Sequence, residues 1–152
     1  MRTSTNMPAT VTVNLGPRTY PIYIERSGVG GFTDFLRSHP LHRSSAIVVT
    51  DSQVEPIAHQ IENSLALAGL KHALIVVPAG EESKSLAMTE FLYDRFIDFG
   101  AYRATLIIAV GGGVIGDLAG FAAASAAVLA WWLIGTNHQM PTEAQRRRAN
   151  RD

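Results

Sequence analysis

The chain has 152 residues, 47% of them hydrophobic and 17% charged, which suits one globular domain with a sizeable core. Thirteen basic and thirteen acidic side chains cancel, so no general attraction to nucleic acid is implied. There is no cysteine, which excludes disulfides, thiolate metal sites and thiol nucleophiles and suits a cytoplasmic protein.

Residues 1–10, M-R-T-S-T-N-M-P-A-T, lack the apolar core of a signal peptide. Residues 10–15 alternate as T-V-T-V-N-L and residues 20–24 as Y-P-I-Y-I, with G-P-R-T between them. That pattern predicts an antiparallel hairpin, with Pro21 at an edge or near a strand start. A short helical segment follows, in which Phe32, Phe35 and Leu36 share a face.

Residues 45–50, S-A-I-V-V-T, read as a buried strand ending at Asp51. Residues 53–67 read as a helix with Ile57, Ile61 and Leu65 on its core side and Gly69 closing it. Residues 72–77 are a third apolar strand, followed by P-A-G-E-E-S-K-S. Ser83 or Ser85 is placed to cap the next helix, where Met88, Phe91, Leu92 and Phe96 form the core face.

Gly100 ends that helix, and residues 106–110 are the next strand. Gly111, Gly112 and Gly113 follow at once, and a helix starts near residues 114–116. Glycines there permit positive φ and keep side chains away from a ligand, while the first helical turn offers free N–H groups. Asp117 reads as a first-turn carboxylate, favoured by the helix dipole and directed at whatever binds there. The spacing matches neither G-x-G-x-x-G nor a phosphate loop, so a plain strand–helix turn stands beside the ligand reading.

The order strand, helix, strand, helix, strand, glycine turn, helix predicts an α/β fold: a Rossmann-like, open, mostly parallel sheet with an N-terminal hairpin. Ligands in such sheets bind beyond the carboxyl ends of the strands, where Asp51, the 80–84 loop and the 111–117 turn converge. Asp51 reads equally as a ribose acceptor or a helix cap. Glu81 and Lys84 read as a cofactor contact or as an i,i+3 surface pair worth only ~0.2–0.5 kcal/mol.

No histidine stands in H-E-x-x-H or in a ligand-like array with carboxylates, and no serine stands in G-x-S-x-G, so no catalytic and no metal residue is assigned. Residues 122–134 are the longest apolar run, with Ser125 interrupting it, and fall short of the ~18–20 residues of a membrane span. They are either a further strand around residues 128–134 or a prolonged helix. Residues 51–100 hold eight acidic and three basic side chains, whereas the tail gathers Arg146, Arg147, Arg148 and Arg151. With no aromatic interleaving, that tail reads as solvated rather than as a nucleic-acid contact.

Three segments together, V-T-V-N-L-G-P-R-T-Y-P-I-Y-I, P-A-G-E-E-S-K-S-L and A-V-G-G-G-V-I-G-D-L-A-G-F-A-A-A, resemble the 3-dehydroquinate synthase family over roughly residues 10–125. Iron-dependent alcohol and glycerol dehydrogenases share a G-G-G-S-x-x-D-x-x-K turn, but their lysine position is Gly120 here. The resemblance implies an NAD-binding domain. Gly80, Glu81, Glu82, Ser83 and Lys84 resemble the family's G-E-x-x-K contact, Gly113, Val114, Ile115, Gly116 and Asp117 its G-V-x-G-D contact, and Asp51 its adenosine-ribose acceptor.

It implies conversion of 3-deoxy-D-arabino-heptulosonate 7-phosphate to 3-dehydroquinate and phosphate in the shikimate pathway. The route is transient NAD-dependent oxidation, phosphate elimination, re-reduction and an intramolecular aldol step, with a divalent zinc or cobalt ion as Lewis acid. It also implies a cytoplasmic, often homodimeric enzyme with no nucleic-acid or membrane partner. After Ser125 the likeness ends. The P-T-T-L-L and G-G-K-T segments and the metal-binding helical domain of the family have no counterpart, so residues 126–152 read as a divergent apolar segment and basic tail. A truncated or frameshifted chain, inactive and marginally folded alone, is the expectation; the alternative is a non-catalytic nucleotide-binding or interaction module.

Overall fold

The computed structural model describes residues 9–24, 28–38 and 45–137, with side chains to residue 128 apart from those of residues 34, 37 and 38. His39, His42, His138 and the arginine tail lie outside the described residues. Strands β1 (Ala9–Val13) and β2 (Tyr20–Ile24) pair antiparallel, Ala9 opposite Ile24 and Val13 opposite Tyr20, around a 3-10 turn at Gly16–Arg18. Gly16 takes φ +62°, the conformation for which the turn needs glycine. This hairpin is a sheet of its own, and Tyr23 reaches across to Phe35 of α1 (Gly30–Ser38) in an edge-to-face contact at 6.0 Å.

The main sheet has three parallel strands in the order β4-β3-β5. They are β3 (Ser45–Asp51), β4 (Lys71–Val77) and β5 (Leu106–Val110). Being central, β3 is buried along Ser45–Thr50, which is why it reads as an unbroken apolar run rather than an alternating one. Its side chains still separate by parity. Ala46 and Val48 face α1 and α2 (Glu55–Leu67), packing with Leu36, Ala58, Ile61 and Leu65. Ile47 and Val49 face α3 (Leu86–Phe99) and α4 (Gly113–Asn137), packing with Leu92, Phe96, Ile115, Leu118 and Ala122. The expected parallel α/β sheet with helices on both faces is therefore present.

The helix ends follow their capping residues. Of the two serines placed to cap α3, Ser85 does so, its Oγ accepting from Met88 N–H at 3.2 Å. Gly100 closes α3 with φ +76°, and Gly69 follows α2 with φ +72°. Two core assignments are corrected. Ile57 is 43% exposed, because the smaller Ala58 takes the position against the sheet. Phe91 is also turned outward, with the Arg95 guanidinium 5.2 Å from its ring centre. The stretch 128–134 prolongs α4 and is not a strand. Among the described residues, no helix is long and apolar enough to cross a membrane.

Candidate functional site

The carboxyl ends of β3, β4 and β5 carry the three loops of interest. After β4 the chain passes Pro78 and reaches Gly80, whose φ of +115° suits glycine alone. A 3-10 turn at Glu81–Ser83 follows. Ser83 is buried, and its hydroxyl donates to the Pro78 carbonyl at 2.5 Å, so its side chain fastens the loop. Glu82 is exposed.

The loop thereby presents Lys84, whose Nζ lies 3.0 Å from Asp117 Oδ2 and 3.4 Å from Glu81 Oε2. These contacts raise the Lys84 pKa above the ordinary lysine value, the Asp117 hydrogen bond contributing most, with desolvation opposing. This pair joins the 80–84 loop to helix α4, far apart in sequence, and is the central geometric fact of the site.

The glycine turn works differently from expectation. None of Gly111, Gly112 and Gly113 has positive φ. Gly111 is required by packing: a Cβ there would sit 2.7 Å from Ile115 Cγ1 and 2.8 Å from its Cβ. At Gly112, Gly113 and Gly116 an added Cβ meets nothing within 4 Å, so these positions border open space. Because α4 begins at Gly113, Asp117 is the fifth helical residue and lies beyond the first turn, not within it. The Gly116 N–H is taken by the Gly112 carbonyl at 3.0 Å, so the donors this terminus offers a ligand precede it. Ile115 is buried in the core, and Val114 is half-buried.

Asp51 is committed locally. Its Oδ1 accepts from the N–H groups of Gln53 (2.8 Å) and Val54 (3.3 Å), the residues leading into α2. Of its two readings, the capping one is the contact observed. The histidine reading also needs an addition. On the outer face of α2, His59 lies 2.8 Å from Glu62 and 3.6 Å from Glu55, its i+3 and i−4 neighbours. Even so, no group of three or more His, Asp or Glu among the described residues is placed to hold a metal ion.

Two features were not legible beforehand. A shallow pocket of about 270 Å³ adjoins the Lys84–Asp117 pair, walled by Leu86, Thr89, Leu118 and Phe121. Phe121 is 56% exposed and Leu86 80%, so the charged pair borders an apolar surface. The second is Thr50, fully buried at the end of β3, whose hydroxyl donates to the Val110 carbonyl at 2.8 Å and ties β5 in place immediately before the glycines. Its only sequence signal is a hydroxyl within an apolar strand. Thr50→Val, nearly isosteric, is expected to cost about 1–3 kcal/mol in urea unfolding, since it leaves that carbonyl short of a partner. An unchanged unfolding midpoint would show that the bond contributes nothing.

Comparison with known proteins gives one direction. Residues 74–131 match the family model for the 3-dehydroquinate synthase N-terminal region. The 3-dehydroquinate synthase of Desulforamulus reducens is 44% identical over 117 residues, covering 76% of this chain and 32% of that protein. The Geobacter metallireducens enzyme is 44% identical over 120 residues with the same coverage. Among solved structures, 2-deoxy-scyllo-inosose synthase superposes with a TM-score of 0.64 at 28% identity, covering 75% of this chain and 32% of its own. A second structure of that synthase, complexed with carbaglucose-6-phosphate, NAD+ and Co2+, gives 0.63 at 28% identity, covering 75% of this chain and 31% of its own. The chain spans about a third of the length of the curated relatives it matches. The resemblance carried by its motifs is thus upheld as a likeness to the N-terminal part of the 3-dehydroquinate synthases over about three quarters of the chain, with the family-model match running to residue 131.

Proposed function

We propose that this chain is the cofactor-binding part of a 3-dehydroquinate synthase and that it binds NAD+ at the carboxyl edge of the β4-β3-β5 sheet. The observation that carries the reading is the Lys84–Asp117 contact at 3.0 Å, which joins the two segments resembling the family's cofactor motifs, the 80–84 loop and the start of α4. Residues 10–125 form this unit in the proposal.

The residues fit a dinucleotide. Open space beside Gly112, Gly113 and Gly116 lets a phosphate approach the backbone, and the N-terminus of α4 favours negative charge. Lys84 supplies a mobile ammonium for an anionic group. Glu81, 77% exposed, and Asp117, 71% exposed, are placed to accept from hydroxyls. Asp51 keeps one carboxylate oxygen beyond the pair of N–H groups its Oδ1 caps, and that oxygen is assigned to a ribose.

NAD+, when bound, supplies the temporary acceptor of a hydride. The chain's own part is to bind and orient: Lys84 and the glycine backbone fix the phosphates, and Asp117 sets Lys84. The reaction of the whole enzyme, conversion of 3-deoxy-D-arabino-heptulosonate 7-phosphate to 3-dehydroquinate and phosphate, belongs to this proposal through the relatives. The divalent metal implied by the resemblance finds no ligand group among the described residues, so no step is assigned to it.

Isothermal titration calorimetry with NAD+ tests the proposal. Saturable binding at one site per chain is expected, and no release of phosphate when the sugar phosphate is added to the chain alone. Phosphate release reversed by chelation would overturn the division of labour. Absence of NAD+ binding by a folded chain would overturn the cofactor assignment.

A further inference from the structure

Lys84 and Asp117 both stand on exposed side chains, so their separation depends on how two larger pieces are aligned. Lys84 directly precedes the N-cap of α3, and Asp117 rides on α4. Between those helices lies apolar packing of Leu92, Phe96, Leu118 and Ala122, which is strong but non-directional. One directional contact crosses it. The Tyr93 hydroxyl on α3 lies 2.6 Å from Ser125 Oγ on α4, and among the described residues no other side-chain hydrogen bond links the two helices.

The proton arrangement follows from the partners. Ser125 has a single hydroxyl proton, and it is donated to the Phe121 carbonyl one turn earlier. Tyr93 is therefore the donor to Ser125 Oγ. Phe121 itself walls the pocket beside Lys84 and Asp117, so the chain of bonds ends one turn from the site.

We propose that the Tyr93 hydroxyl is a positioning group: by holding Ser125 it sets the register of α4 against α3 and thereby the approach of Asp117 to Lys84. Its bearing on cofactor affinity rests on the reading of that pair as an NAD+ contact. Removing the hydroxyl is a clean perturbation. The phenylalanine ring keeps the packing against the core, and Ser125 keeps its bond to the Phe121 carbonyl.

The test uses the full chain labelled at lysine, of which there are two, Lys71 and Lys84. Lys71 donates to the Phe99 carbonyl at the far end of α3 and serves as the internal reference. Side-chain NMR titrations and NAD+ titrations are run on wild type, Tyr93→Phe, Ser125→Ala and Ser125→Thr. Expected for Tyr93→Phe is a Lys84 titration midpoint moved down toward the ordinary lysine range, Lys71 unmoved, and NAD+ affinity weaker by about five-fold. Ser125→Ala should do the same, while Ser125→Thr, which keeps a hydroxyl, should match wild type. A Lys84 midpoint unmoved in both folded variants overturns the proposal. A wild-type chain that binds no NAD+ but shows the Lys84 shifts supports the positioning role and removes the cofactor reading.

Discussion

Gly113→Ala is expected to leave the chain as stable as before, or more stable by about 0.4–1 kcal/mol, while weakening NAD+ binding on the order of ten-fold. The added methyl meets no atom within 4 Å, and the backbone there is not left-handed, so the fold has nothing to resist. A ligand resting on the α4 terminus would meet that methyl directly. Gly111→Ala, two residues earlier, is expected to behave in the opposite way. Its methyl would overlap Ile115, which is 1% exposed and hemmed in by the core, at a cost of about 1–3 kcal/mol. Urea unfolding and calorimetry on both variants separate a glycine kept for a ligand from one kept for packing. Wild-type NAD+ affinity in Gly113→Ala would remove the glycine turn from the site.

The second large effect is expected from Lys84→Met, which should weaken NAD+ by about 10- to 100-fold, the size of a charged hydrogen bond lost, with little change in unfolding. Stability is nearly untouched because the ammonium is substantially exposed and its attraction to Asp117 and Glu81 is screened. Salt should reduce the wild-type affinity and hardly affect the variant. The pH dependence follows from the sign of the shift. Asp117 raises the Lys84 pKa, so the contribution of the charged amine is complete below the ordinary lysine value and lost as pH rises through its own, higher value. The ratio of wild-type to variant affinity should thus stay level between about pH 6 and 9 and fall only in stronger alkali. A ratio that changed across neutrality would point to a different group.

Much of this fold was legible because its signals are local. The apolar run of β3, the alternation around Gly16 and the glycines ending α2 and α3 each act within a few residues. What failed depended on neighbours. The spacing of Ile57, Ile61 and Leu65 satisfies a helical stripe, yet the sheet lies close enough to α2 to prefer the small Ala58. Phe91 fits the apolar period of α3 but sits under Arg95 at the edge. The three glycines announced a special turn without saying whether φ, packing or a ligand required each. Asp117 reads as a first-turn residue but falls just beyond that turn, because α4 starts at Gly113. Glu81 and Lys84 were legible as neighbours; the Lys84–Asp117 bridge was not, since it joins a loop to a helix across the whole of α3 and β5.

Helix α4 is apolar on more than one side. Ile115, Leu118, Ala119 and Ala122 enter the core, while Phe121 and Val128 remain 56% and 64% exposed. A helix of this kind has apolar surface beyond what the described sheet covers. Phe121, one of the two, also walls the pocket at Lys84.

Backbone amide NMR mapping during an NAD+ titration locates the cofactor on the chain. The largest shifts are expected on the 80–84 loop and on residues 111–117, with smaller ones at residues 51–54. Shifts concentrated on the β1–β2 hairpin or around His59, with those two segments unmoved, would contradict that placement.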